Sequence, residues 1–158
     1  YVIEERSEIM RQDLQFTMIG RTEGLTDKVL AEVKQTVECS RENQGMRLCL
    51  AVNYGSRGEL VDAVKDIARD AASGQLDPDQ IDEETISSHL YTAGMNDPDL
   101  LIRTAGEMRV SNFLLWQSAY TEYYATSALW PDFDEVEVGK ALEAFSRRQR
   151  RFGTVSPV

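Results

Sequence analysis

From Leu48 to Val52 the chain reads Leu-Cys-Leu-Ala-Val, apolar without interruption, inside a candidate strand from Met46 to Tyr54. So short a run predicts a strand buried on both faces, the kind that parallel sheets use. Helical patterns stand on either side of it. Ahead of it, Thr26 is placed to cap a helix to about Asn43 in which Val29, Leu30, Val33 and Val37 share a face, with Gly45 following the end. Behind it, Ser56 and Glu59 have the spacing of a capping box. The helix they would open runs through Val61, Val64, Ile67 and Ala68 to Gly74. Upstream, Leu14, Phe16 and Met18 alternate with Gln15 and Thr17 as far as Gly20, the pattern of a half-buried strand. Strand, helix, strand, helix is the order of an α/β fold: a parallel sheet flanked by helices.

The remaining segments extend this plan. Residues 1–12 place Val2, Ile3, Ile9 and Met10 at helical spacing, with no cap in front. A Leu-Asp-Pro turn at 76–78 leads to a short acidic helix ending near His89 and a loop from Thr92 to Pro98. Leu100, Leu101 and Ile102 form a short buried strand that runs directly into Arg103. A final amphipathic helix, about 136–151, carries Val138, Leu142 and Phe145 and ends in a basic cluster. With 158 residues and no linker or repeat, the chain is expected to form a single domain, 1–158.

Charge and composition exclude several functions. Seventeen Lys+Arg against 27 Asp+Glu leave a net charge of −10, which argues against a nucleic-acid partner needing a basic face. No apolar stretch approaches the roughly 18 residues of a membrane span. Cys39 and Cys49 have neither disulfide-scaffold nor metal-binding spacing, which suits a reducing, cytoplasmic setting.

In open α/β sheets ligands bind beyond the carboxyl ends of strands. There the chain places Arg103, Thr104, Gly106, Glu107, Arg109, Ser111 and Asn112 within one loop. Two guanidinium groups and a hydroxyl around glycine-centred backbone can surround a multi-oxygen anion such as a phosphate. The plainer alternative has Arg103 and Arg109 paired with Glu107 and Asp99, pinning the loop and nothing more; spacing alone does not separate the two. Glu122, set among Tyr120, Tyr123 and Tyr124, must be paired or hold a cation. Trp116 and Trp130 read as core or interface anchors, and Ser118 has no nucleophile context. His89, the sole histidine, has no Cys, His or Asp in a catalytic or zinc-binding pattern and reads as a surface helix residue.

The block from Asp99 to Phe133 contains IRTAGE, RVSNFLLWQ, AYTEYY and LWPDF in order. It resembles the signature of the cis-prenyltransferases, most closely those of the bacterial undecaprenyl diphosphate synthase type. Asn53-Tyr-Gly-Ser-Arg57 resembles the family's NYGGR segment, with Ser56 replacing a glycine. Arg150-Arg-Phe-Gly153 resembles its C-terminal Arg-x-Gly motif.

The resemblance implies prenyl transfer: condensation of isopentenyl diphosphate onto an allylic diphosphate, usually farnesyl diphosphate, to give a Z-polyprenyl diphosphate that serves as a cell-wall lipid carrier. It assigns Arg103, Arg109 and Ser111, with the Val110 backbone, to the diphosphate of isopentenyl diphosphate. Glu122 goes to a Mg²⁺ site, and Arg151 and Gly153 to a site in the neighbouring subunit of a homodimer. Peripheral membrane contact would come through the lipid product. The strand 46–52 and the helix 1–12 would wall a product tunnel, with Met46 near its closed end.

The family's Asp-Gly-Asn-Gly-Arg-Trp segment has no counterpart here, so the chain is expected to be the C-terminal portion of such an enzyme, without its N-terminal strands. The alternative is a non-catalytic partner subunit or fragment that keeps the isopentenyl half-site and the dimer contacts.

Overall fold

This computed structural model describes residues 2–148. The chain forms two compact units, divided between Gly94 and Met95. Each contains a parallel pair of strands with at least one helix packed on it.

In the first unit α1 (Val2–Arg11) leads into β1 (Gln15–Ile19), α2 (Asp27–Ser40), β2 (Arg47–Ala51), α3 (Ser56–Ala72) and α4 (Glu83–His89). β1 and β2 run parallel with Phe16 beside Leu48 and Met18 beside Leu50, and α2 is the crossover between them. Thr26 caps α2 as expected, its hydroxyl accepting from the Val29 amide at 3.4 Å. The buried apolar side chains are Ile9, Phe16, Ile19, Ala63, Ile67 and Leu90. Burial of a side chain as large as Phe16 stabilises a fold by about 1.5–3 kcal/mol.

Polar pins fix the packing of helices on strands. The Phe16 amide donates to Ser40 Oγ at 3.0 Å, and that hydroxyl donates to the Thr36 carbonyl at 2.9 Å, tying β1 to α2. Arg6 Nε donates to Thr36 Oγ1 at 3.0 Å and ties α1 to the same helix.

Two expectations are corrected here. Ser56 and Glu59 form no capping box: Gly55 is the N-cap, without a side-chain cap bond, and both Ser56 and Glu59 are fully buried. The residues are drawn inward because Glu59 has other partners, described below. β2 is not buried on both faces; Arg47, Leu50 and Ala51 are exposed, and Met46 before it is 68% exposed. Among the described residues β2 pairs only with β1, so one edge lacks the neighbour that a buried parallel strand requires.

The chain leaves β1 through Gly20, at φ +110°, where an added Cβ would lie 2.0 Å from the Val52 carbonyl oxygen. Only glycine allows so close an approach of the loops after β1 and β2.

The second unit holds β3 (Leu100–Arg103), β4 (Glu122–Ala125) and α5 (Glu135–Ser146). β3 and β4 are parallel, with Leu100 beside Glu122 and Arg103 beside Ala125. β3 matches the strand expected at Leu100–Ile102, whereas β4 lies within the aromatic segment, where no strand is expected. The connection 104–121 between them is made of turns, long enough for the crossover that parallel pairing demands. Asp134 caps α5, accepting from the amides of Val136 at 3.0 Å and Glu137 at 3.1 Å. The helix expected at 136–151 is shorter: α5 ends at Ser146 with Arg147 as its C-cap, and residues 149–151 lie outside the described residues. Trp130 is not a core residue: it is 76% exposed and stacks on Phe133 with ring centres 6.2 Å apart. Among the described residues no helix is long and apolar enough to cross a membrane.

Candidate active site

β3 ends in Arg103, so the strand delivers a guanidinium to the carboxyl end of a parallel pair. Beyond it the backbone passes through Ala105 (φ 64°) and Gly106 (φ 67°), two successive left-handed residues. This turn brings Glu107 back onto Arg103. Glu107 Oε2 takes Arg103 Nη2, and Oε1 takes Arg109 Nη2. One carboxylate thus holds two guanidinium groups side by side. The hydrogen bond from Arg103, followed by the charges of Arg109 and Arg103, holds the Glu107 carboxyl below its usual range.

The cluster keeps a net charge of +1 in a chain of net charge −10. Glu107 engages one nitrogen of each guanidinium, and a guanidinium carries five N–H donors. Arg103, Glu107, Arg109, Val110, Tyr123 and Tyr124 line a cleft of about 80 Å³. Of the two partners expected for these arginines, Glu107 pairs with both. Ser111 follows, exposed and left-handed at φ 51°.

Glu122 is not brought to this cleft. It opens β4 beside Leu100, whereas Arg103 lies beside Ala125, about 10 Å further along the strands. Alternation also places the two residues on opposite faces of the pair. Arg148 Nη1 donates to Glu122 Oε2 at 2.7 Å, so the carboxylate among tyrosines is paired.

A larger cavity, about 360 Å³, lies in the first unit. Ile9 of α1, Leu14, Phe16 of β1, and Leu48 and Leu50 of β2 line it, with Glu5, Glu8 and Gln12 of α1. The two elements expected to wall an apolar tunnel do share a cavity.

Sequence reasoning missed a polar network on the loops after β1 and β2. Buried Glu59 accepts from Tyr54 Oη at 2.5 Å and from the Tyr91 amide at 2.9 Å. Tyr91 Oη donates to Asp62 at 2.5 Å, and Arg21 grips the same carboxylate through Nε and Nη2, both at 3.0 Å. Tyr91, with Arg21 behind it, holds Asp62 below its usual pKa. His89 is also corrected. It is half-buried, with Nδ1 2.7 Å from the Thr85 carbonyl and Nε2 3.1 Å from Asp70 Oδ2. That aspartate sits 19 residues away on α3, beyond the reach of a local pattern.

Residues 1–153 match the prenyltransferase family described as "Putative undecaprenyl diphosphate synthase". The chain belongs to the cis-prenyltransferase family. An isoprenyl transferase of Geobacillus kaustophilus is 50% identical over 149 residues, covering 94% of this chain and 58% of the relative. One of Fusobacterium nucleatum is 46% identical over 158 residues, covering 100% of this chain and 66% of the relative.

Among solved structures, lavandulyl diphosphate synthase from Lavandula x intermedia, in complex with dimethylallyl diphosphate, is similar with a TM-score of 0.93 and 41% identity. The match covers 97% of this chain and 66% of that one. A probable undecaprenyl diphosphate synthase from Campylobacter jejuni is similar with a TM-score of 0.82 and 27% identity, over 97% and 69%. The chain therefore spans 58–66% of the length of these two isoprenyl transferases.

In this cis-prenyltransferase chain the motif residues fall in three places. Arg103, Arg109 and Val110 meet at the cleft after β3, with Ser111 next in the chain. Glu122 stands at the opposite end of the strands with Arg148. Arg151 and Gly153 lie outside the described residues.

Proposed function

We propose that the intact protein transfers prenyl groups, condensing isopentenyl diphosphate onto an allylic diphosphate, farnesyl diphosphate, to build a Z-polyprenyl diphosphate of the undecaprenyl kind. The observation that carries this reading is the Arg103–Glu107–Arg109 cluster beside its cleft. The names of the relatives support the reaction class, and none favours a non-catalytic partner subunit.

In such a condensation the allylic C–O bond breaks with its electron pair leaving on diphosphate. The double bond of isopentenyl diphosphate attacks the allylic carbon, and loss of a proton restores a double bond. The enzyme must hold the nucleophile in line with the developing cation, an orientation effect. Arg103 and Arg109 bind the isopentenyl diphosphate oxygens in fork geometry, with Val110 backbone and Ser111 completing the cradle. Because Glu107 already holds the two guanidinium groups together, the substrate meets a preformed anion site. Within the first unit, the cavity lined by Ile9, Leu14, Phe16, Leu48 and Leu50 offers the apolar wall that a prenyl hydrocarbon requires.

Mg²⁺ belongs to this reading through the family pattern. The described residues contain no cluster of three or more His, Cys, Asp or Glu side chains suited to a metal. The family pattern assigns the ion to Glu122, but that carboxylate is paired with Arg148 at the opposite end of the strands from the arginine cleft, so the described residues do not by themselves make its site. When bound, the ion supplies positive charge to a diphosphate. By the same resemblance Arg151 and Gly153 would serve the neighbouring subunit of a homodimer and the lipid product would contact the membrane, while the cysteine usage suits an enzyme of the cytoplasm.

The test is isothermal titration of isopentenyl diphosphate into the intact protein and its Arg103→Ala variant. Loss of a charge-assisted pair should weaken binding at least about tenfold. Equal affinity in both proteins would remove Arg103 from the site.

A further inference from the structure

The turn that aims Arg103 and Glu107 is held from one side. Thr126 follows β4, and its amide donates to the Arg103 carbonyl at 2.9 Å. Its own carbonyl accepts from the Gly106 amide at 2.8 Å, and the Ala128 carbonyl accepts from the Ala105 amide at 2.8 Å. Residues 103–106 are thus bonded at three points to 126–128, across the left-handed pair Ala105 and Gly106.

Ala105 has a Cβ, so its left-handed backbone is disfavoured and persists only where the surroundings impose it. The bonds from 126–128 impose it.

The shape of 126–128 is fixed in turn by one hydroxyl. Thr126 Oγ1 accepts from the Ala128 amide at 3.2 Å and donates to Glu137 Oε2 on α5 at 2.8 Å. Thr126 is buried, so the hydroxyl cannot exchange these partners for water at no cost. Lys140 first, then Thr126, hold Glu137 below its usual pKa, keeping it the ionised acceptor that orients the hydroxyl.

We propose that Thr126 is a positioning residue for the arginine cluster: its hydroxyl, oriented by Glu137, sets the 126–128 segment that clamps the Arg103–Gly106 turn and so fixes where the guanidinium groups point. The proposal rests on the reading that Arg103 and Arg109 hold the diphosphate of isopentenyl diphosphate. Thr126 touches no substrate; it acts through the backbone of Arg103 and Gly106. Nothing in the spacing of the sequence marks it, since a threonine after a tyrosine-rich segment has no motif of its own.

The experiment is steady-state kinetics of the intact protein with isopentenyl and farnesyl diphosphates, varying each in turn, for Thr126→Val, Thr126→Ser, Thr126→Ala and Arg103→Ala. Thr126→Val keeps the shape and removes the hydroxyl. It should raise KM for isopentenyl diphosphate about tenfold, the scale of one lost hydrogen bond, and leave KM for farnesyl diphosphate within about twofold. Thr126→Ser, which keeps the hydroxyl, should restore the isopentenyl KM.

A merely structural role would move both Michaelis constants or neither. If Thr126→Val does not fold, Ser against Ala isolates the same hydroxyl, and an Ala-over-Ser gap confined to isopentenyl diphosphate supports the proposal. Equal KM values across the Thr126 variants, with Arg103→Ala impaired, would overturn the proposal alone. An unimpaired Arg103→Ala would overturn the reading beneath it as well.

Discussion

The imidazole of His89, at the last residue of α4, reaches the carboxylate of Asp70 on α3 at 3.1 Å. A hydrogen bond to the Thr85 carbonyl, then Asp70, and more weakly the charge of Asp66, raise the His89 pKa above its ordinary value. Because the folded pKa lies above the unfolded one, protonation favours the fold. The contribution is complete below the unfolded value, about 6.5, and is lost as pH rises through the folded value. As His89 is the sole histidine, its ring resonances in a proton NMR titration are unambiguous. We expect a midpoint above the ordinary histidine value that falls in Asp70→Asn. A midpoint at or below that value would show that the α3–α4 joint does not hold a charged imidazole.

The cavity beside α1 makes a prediction about product length. Replacing Leu48 by Trp fills space lined by Ile9, Phe16 and Leu50. Chromatography of the products should show shorter chains than the parent protein makes. Val64→Trp, on an exposed face of α3, should leave length unchanged. Unaltered products from Leu48→Trp would mean that the hydrocarbon grows elsewhere.

The helix that carries Glu137 depends on its cap. Asp134 satisfies two amides at the start of α5, and Asp134→Ala should cost about 1 kcal/mol by denaturant unfolding. Asp134→Asn, which still accepts hydrogen bonds, should recover most of that loss. A change of under about 0.3 kcal/mol in the alanine variant would show that α5 does not need the cap.

Much of this fold is legible in the chain because local pattern and burial agree. Phe16 alternates with polar neighbours and is buried in β1, and Thr26 precedes the apolar face of α2 and caps it. Legibility fails where a partner is distant. β4 has four residues, three of them Glu-Tyr-Tyr, too short and too uniform to show a period, and only its pairing with β3 makes it a strand. Ser56 and Glu59 have the spacing of a cap, yet Tyr54 and Tyr91 claim the carboxylate.

The same division holds at the candidate site. Two guanidinium groups after an apolar strand, Arg103 and Arg109, read from the sequence either as an anion site or as partners of nearby carboxylates. Sequence left open whether Glu107 pairs with them; the structure joins it to both. Thr126 and Glu137 carry no local signal, since Thr126 acts through backbone bonds to residues 20 or more positions away and Glu137 through a side-chain bond to Thr126, 11 positions away.

The most direct test of prenyl transfer is incorporation of labelled isopentenyl diphosphate by the intact protein, with farnesyl diphosphate and Mg²⁺, reading product by reversed-phase chromatography. The account predicts organic-extractable label in a Z-polyprenyl diphosphate, with incorporation sharply reduced in Arg103→Ala. No extractable label from folded protein, or label that Arg103→Ala leaves undiminished, would contradict it.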